Sequence, residues 1–150
     1  MVNDQLREVI NRCADQHAAH VIDVVLRGRH HRPIVEVFID TEEGVTTELC
    51  SEVSREIASI LLAEPLINPA YELIVSSPGI ERPLIFPWQY KKHVGRKLIV
   101  KTNSDAGLVE QIGDCAAVDE SGITLHTGKS QETVRIEFAS IKEARVKAPW

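Results

Sequence analysis

Between Ile85 and Ser104 there is no acidic residue, but there are five cations: Lys91, Lys92, Arg96, Lys97 and Lys101. Phe86, Trp88 and Tyr90 lie among them. Cationic side chains neutralise phosphates and aromatic faces stack on unpaired bases, so these residue types in this spacing suit a single-stranded RNA surface. The aromatics also suit the packing of a seam or small core, because only 5% of the chain is aromatic and large rings are scarce.

Other residues offer weaker chemistry. Arg27, Arg29, His30, His31 and Arg32 form a second basic point, expected in a hairpin loop where charge is tolerated. Glu48, Glu52 and Glu56 recur every four residues, which places them along one helix face; with Glu42 and Glu43 they form an acidic ridge. Such a ridge is either solvated or turned to a basic protein, where complementary charge raises association rate and specificity. His17 with His20, and His30 with His31, have no carboxylate or cysteine at a spacing that completes a metal-ligand set. Cys13, Cys50 and Cys115 are odd in number and far apart, so they read as small buried apolar residues and not as a zinc or disulfide framework. Neither a phosphate-cradling glycine loop nor a nucleophile elbow occurs. The paired Ser76 and Ser77 lack an evident histidine or aspartate partner. No catalytic residue, metal site or cofactor is therefore expected, and a small hydrolase or transferase is left as the weakest reading.

These residues must be positioned by two different patterns. Val2, Leu6, Val9, Ile10, Cys13 and His17 have helical spacing, with Asn3 or Asp4 as cap. Val21–Leu26 and Ile34–Ile39 read as strands joined by the loop Arg27–Pro33. Thr46 or Thr47 caps a second helix with Leu49, Val53, Ile57, Ile60 and Leu61 on one face, and Tyr71–Val75 is a third strand. The order α-β-β-α-β predicts an α+β layer, two helices on a three-stranded sheet. Beyond a short helical turn over Pro87–His93, strands are expected at Lys97–Thr102, Asp114–Asp119, Ile123–Thr127 and Thr133–Phe138, with Arg145–Lys147 as a fifth. Gly107, Gly113, Gly122 and Gly128 punctuate them. Short, evenly spaced strands imply a small β-barrel of the Sm/SH3-like kind.

The junction falls in Ser76–Leu84. Pro78 and Gly79 suit the two central places of a type II turn, and Pro83 stiffens the exit, so Ser77, Pro78, Gly79, Arg82 and Pro83 form the expected connector. Domains are thus expected at 1–84 and 85–150. Charge divides there as well: the 150-residue chain carries −5, but residues 1–84 carry −7 and residues 85–150 carry +2. Arg82 has two readings, a bridge between domains or a contact to RNA. No signal pattern opens the sequence and no apolar run approaches the ~20 residues of a membrane span, so a cytoplasmic monomer is expected.

Val37-Phe38-Ile39-Asp40, Gly44-Val45-Thr46, Val53-Ser54-Arg55 and Tyr71-Glu72-Leu73 running into Ser76-Ser77-Pro78-Gly79-Ile80-Glu81-Arg82-Pro83-Leu84 resemble the ribosome maturation factor RimP family. The resemblance continues through Phe86, Gly95 and Phe138–Ala144. It implies an N-terminal α/β domain, a C-terminal Sm-like barrel, and a non-enzymatic role in assembling the small ribosomal subunit. The implied partners are the immature subunit, its rRNA and a basic ribosomal protein. The alternative is a general single-stranded RNA module of Sm or KH type. Two positions depart from the family pattern. Ile74 stands where the family usually has a carboxylate, and Val109-Glu110-Gln111-Ile112 lacks the basic stretch often found before the central glycine.

Overall fold

Asn3 opens the first helix, α1 (Asp4–Gln16): its Oδ1 accepts a hydrogen bond from the Leu6 N–H at 2.7 Å, satisfying one otherwise orphaned amide. The computed structural model describes residues 3–105, 107–128 and 132–148, so Val2, expected on the apolar face of this helix, lies outside the described residues. Leu6, Val9, Ile10, Cys13 and Ala14 are the buried face. Ala18, at φ 55°, ends the helix in the left-handed region, where its Cβ is strained. Ala18→Gly relieves that strain and is expected to raise stability by about 0.5–1 kcal/mol after the entropic cost of glycine. An unchanged or lower denaturant midpoint would refute this.

Strands β1 (His20–Arg29) and β2 (Arg32–Asp40) pair antiparallel, and helix α2 (Thr47–Ala63) leads to β3 (Glu72–Ser76), which lies parallel to β2. The sheet order is β1-β2-β3. Val35, Val37 and Ile39 alternate along β2 and are buried in one core with α1 and with Val53, Ile57 and Leu61 of α2. The expected α-β-β-α-β order is therefore present. The expected seven-residue loop is not: the strands continue to Arg29 and resume at Arg32, leaving only His30–His31 as the turn. Gly28 makes this possible. Its φ is 83°, and a Cβ there would stand 2.8 Å from the Arg32 carbonyl oxygen.

Contacts divide the chain into units 1–78 and 79–150. Ile80 and Leu84, which the sequence groups with the first half, pack on the second core, and the Leu84 N–H donates to the Ala144 carbonyl at 2.7 Å. The expected type II turn at Ser77–Ile80 is corrected. Gly79 is not at positive φ; the turn lies one step later, over Gly79–Arg82, closed by the Arg82 N–H on the Gly79 carbonyl at 3.1 Å. Ile80 and Glu81 take its central places at negative φ, as a type I turn requires. The nearest atoms to a Cβ at Gly79 belong to the Glu81 carboxylate, the end of an exposed side chain that can swing aside, so close approach does not require glycine here.

The second unit has a short helix α3 (Pro87–Tyr90), a 3-10 turn over Lys91–His93, and strands β4 (Lys97–Ser104), β5 (Gly107–Val118), β6 (Gly122–Thr127), β7 (Glu132–Glu137) and β8 (Ile141–Val146). They form one five-stranded antiparallel sheet in the order β7-β6-β5-β4-β8. Leu98, Val100, Ile123, Leu125 and Ala144 are its fully buried residues. Register shifts between Lys101 and Thr102 and between Cys115 and Ala117 are points where the strands bend and twist more strongly. Two expected boundaries move. The fifth strand runs Ile141–Val146, not Arg145–Lys147, and β5 begins at Gly107, with Gly113 inside it.

Candidate nucleic-acid interface

Pro87 at the first helical position pre-sets α3, and Gln89 holds it from inside. Gln89 is 1% exposed; its Oε1 accepts from the Ile85 N–H at 2.8 Å and the Phe86 N–H at 2.9 Å. The three aromatics then take different places. Tyr90 is buried against Phe138, ring centroids 5.1 Å apart, and burial with the nearby Cys115 pushes its hydroxyl pKa up to about 12. It is core, not a base-stacking platform. Phe86 and Trp88 stack on each other at 5.6 Å, 8° from parallel.

The five expected cations also separate. Lys91 and Lys92 lie on the 3-10 turn and Arg96 on the segment after it. That segment is stitched to β5: the Gly95 N–H donates to the Cys115 carbonyl at 2.8 Å, and the Cys115 N–H to the Arg96 carbonyl at 2.8 Å. Lys91 and Arg96 are exposed. Lys97 and Lys101 instead alternate with buried Leu98 and Val100 on the outer face of β4. There Lys97 Nζ meets Asp114 Oδ1 at 3.4 Å, and Lys101 Nζ meets Glu143 Oε2 at 3.4 Å. Arg145 and then Lys101 hold the Glu143 carboxyl below its ordinary pKa. Charges on this face are thus largely matched across strands.

A cleft of about 620 Å³ joins Arg96 and Lys97 to Lys147, with Asp114 on its wall. Lys147 was not among the residues singled out from the sequence. Its N–H donates to the Lys97 carbonyl at 2.9 Å, the long-range pairing that brings the chain end to this cleft. The β5 segment 108–112 is largely exposed, its apolar residues Leu108, Val109 and Ile112 standing 62%, 40% and 41% exposed.

The acidic ridge is partly engaged within its own unit. His17, at the end of α1, places Nε2 2.8 Å from Glu56 Oε2 and Nδ1 3.5 Å from Glu52 Oε2. Glu48 is exposed and stands apart from this pair. The basic hairpin is tied down by Arg27, whose Nε donates to Glu36 Oε1. Of the connector, Ser77 ends the stretch after β3, Pro78 closes the first unit, and Gly79, Arg82 and Pro83 belong to the second. All three cysteines are free thiols; Cys13 and Cys115 are buried, Cys50 half-buried, and burial raises each thiol pKa. Among the described residues no cluster of histidine, cysteine and carboxylate could hold a metal, and no helix is long and apolar enough to cross a membrane.

The family model of the RimP N-terminal domain matches residues 9–81. That span runs from the second turn of α1 through the three-stranded sheet and α2 to the turn after Gly79. It includes the β2 segment Val37–Asp40 and Ser76–Glu81, two of the stretches that carry the sequence resemblance. Residues 9–81 thus carry a RimP N-terminal domain, which supports a place for the chain in the RimP family of ribosome maturation factors.

Proposed function

We propose that the protein binds immature small ribosomal subunits and acts by binding energy alone, leaving before the subunit is mature. The family match supports the assembly role, and the distribution of cations supports the mode of contact. Lys91, Lys92 and Arg96 gather on one turn and its exit with no carboxylate between residues 85 and 104, while Lys97 and Lys101 are largely neutralised by Asp114 and Glu143. rRNA phosphates meet this group through the exposed Lys91 and Arg96, with Lys92 on the same turn and Lys147 beside Arg96. Glu48 and the outward edges of Glu52 and Glu56 face a basic small-subunit protein. The second unit is a small Sm-like barrel, a reading supported by β8 returning beside β4, the first strand of the meander. The connector Ser77, Pro78, Gly79, Arg82 and Pro83 joins an acidic to a basic unit, and both address one particle.

The test is sedimentation. The protein should travel with immature small subunits in preference to mature ones, and K91E/K92E/R96E should leave it at the top of the gradient. Equal association with both particles, or none at low salt, would overturn the reading. If the three cations each contact a phosphate, the reversal should also flatten the log–log salt dependence by about 2 units.

A further inference from the structure

A cleft of about 830 Å³ in the first unit lies where the β1–β2 hairpin faces the segment Pro65–Pro69. Its size falls within the ~300–1,000 Å³ of ordinary ligand sites. Leu6, Leu26, Leu66 and Ile67 supply an apolar lining, and Pro33, Pro65 and Pro69 add flat rigid rings. Asn3 ties the two walls to the helix start: its Nδ2 donates to the Leu66 carbonyl at 3.3 Å while its Oδ1 caps α1.

The polar lining has one sign. Arg27, Arg29 and His30 reach the cleft, and among the described residues no carboxylate lines it. This is notable in the half of the chain that carries twice as many acidic as basic residues, 14 against 7. Arg27 is committed to Glu36. Arg29 is exposed and, among the described residues, makes no ion pair or side-chain hydrogen bond, and neither does His30. His31 and Arg32, from the same hairpin, do not line the cleft. The two-residue turn and Gly28 at φ 83° therefore aim Arg29 and His30 at the cleft's rim, where a longer loop would leave them dispersed.

We infer that this cleft is a binding site for one nucleotide of single-stranded RNA. The base lies against the leucine and proline lining, and the phosphate meets Arg29 and His30. An apolar floor beside the unpaired Arg29 guanidinium and the His30 ring, both able to donate to phosphate oxygens, matches the two faces of an unstacked nucleotide, and single-stranded RNA offers its bases without the cost of opening a duplex. A run of glutamates alone would satisfy Arg29 but has no planar apolar group for the floor. The site is independent of the basic turn in the second unit, and it needs no ribosome to be tested.

The test uses the full chain, labelled with nitrogen-15 and titrated with hexauridylate and hexaadenylate at low salt. Amides of Gly28–His30 and Leu66–Asn68 should shift on titration. Arg29→Glu should weaken that local binding about tenfold or more. Arg29→Lys should retain it, and Arg29→Ala should lower the salt slope of the site by about 0.7. Shifts confined to residues 91–97 would overturn the inference while leaving the proposed function standing. Hexaglutamate moving the cleft amides as strongly as RNA would make the site an acidic-peptide site and overturn it equally.

Discussion

Gly122→Ala should lower the melting temperature by roughly 12 °C or more, the largest effect expected of any single methyl added to this chain. Gly122 is buried at the start of β6, opposite Glu137 of β7. A Cβ there would press into the Ile136 carbonyl oxygen, well inside contact distance, with the Glu137 Cα only 3.0 Å away. Both obstacles are backbone, so no rotamer change relieves them. The turn before Gly122 cannot yield either. Asp119 Oδ1 accepts from the Ser121 N–H at 2.9 Å and the Gly122 N–H at 3.1 Å, and Arg135 grips the same carboxylate, holding its pKa far below the ordinary value. Forcing the methyl in must part β6 from β7, an overpacking cost of about 3 kcal/mol. Thr133→Ala, exposed on β7, is the control and should stay within about 0.5 kcal/mol. A melting curve for Gly122→Ala that overlays the parent would sink this account.

The second large effect is alkaline. Tyr90 is 3% exposed, and its hydroxyl pKa rises from 10.0 to about 12. Burial is the first cause and Cys115 the second. The folded state therefore keeps its proton where the unfolded chain gives it up. Stability from the neutral ring is fully present below pH 10 and is lost as pH climbs through about 12. Two pKa units correspond to about 2.7 kcal/mol. The parent should lose that much more than Tyr90→Phe between roughly pH 10 and 12, since other titrating groups are common to both. The buried Cys115 thiol, also raised, contributes with the same sign in both proteins. Urea midpoints of the two proteins falling in parallel through this window would show that Tyr90 does not titrate as argued.

Much of the fold was legible because burial repeats along a chain. Val9, Ile10 and Cys13 at helical spacing, and Val35, Val37 and Ile39 at alternate positions, each announce a face, and each of those faces is buried. Glycine misled where its reason was not conformational freedom. Gly113 reads as a break between strands, yet it sits inside β5, because a Cβ there would stand 2.7 Å from the His126 carbonyl oxygen. Gly79 reads as the positive-φ residue of a type II turn, yet its φ is not positive, and the atoms nearest a Cβ there are the yielding end of the Glu81 side chain. Close approach and positive φ select the same residue, and local sequence does not separate them.

The amino-acid sequence by itself determined the element order, the apolar faces, the split of charge into an acidic and a basic half, and the motif that marks the family. These follow from period, composition and short-range turn chemistry. Tertiary structure alone decided which charges remain available. Lys97 meets Asp114, Lys101 meets Glu143, and His17 lies between Glu52 and Glu56. It also made the cleft that collects Arg29 and His30 against Pro65–Pro69. Alternation says on which face a strand residue lies, but the residue opposite it is set by register with a strand distant in sequence. Five cations in a row of sequence are a composition; two of them on one turn and a third just past it, with the others matched across strands, are a surface.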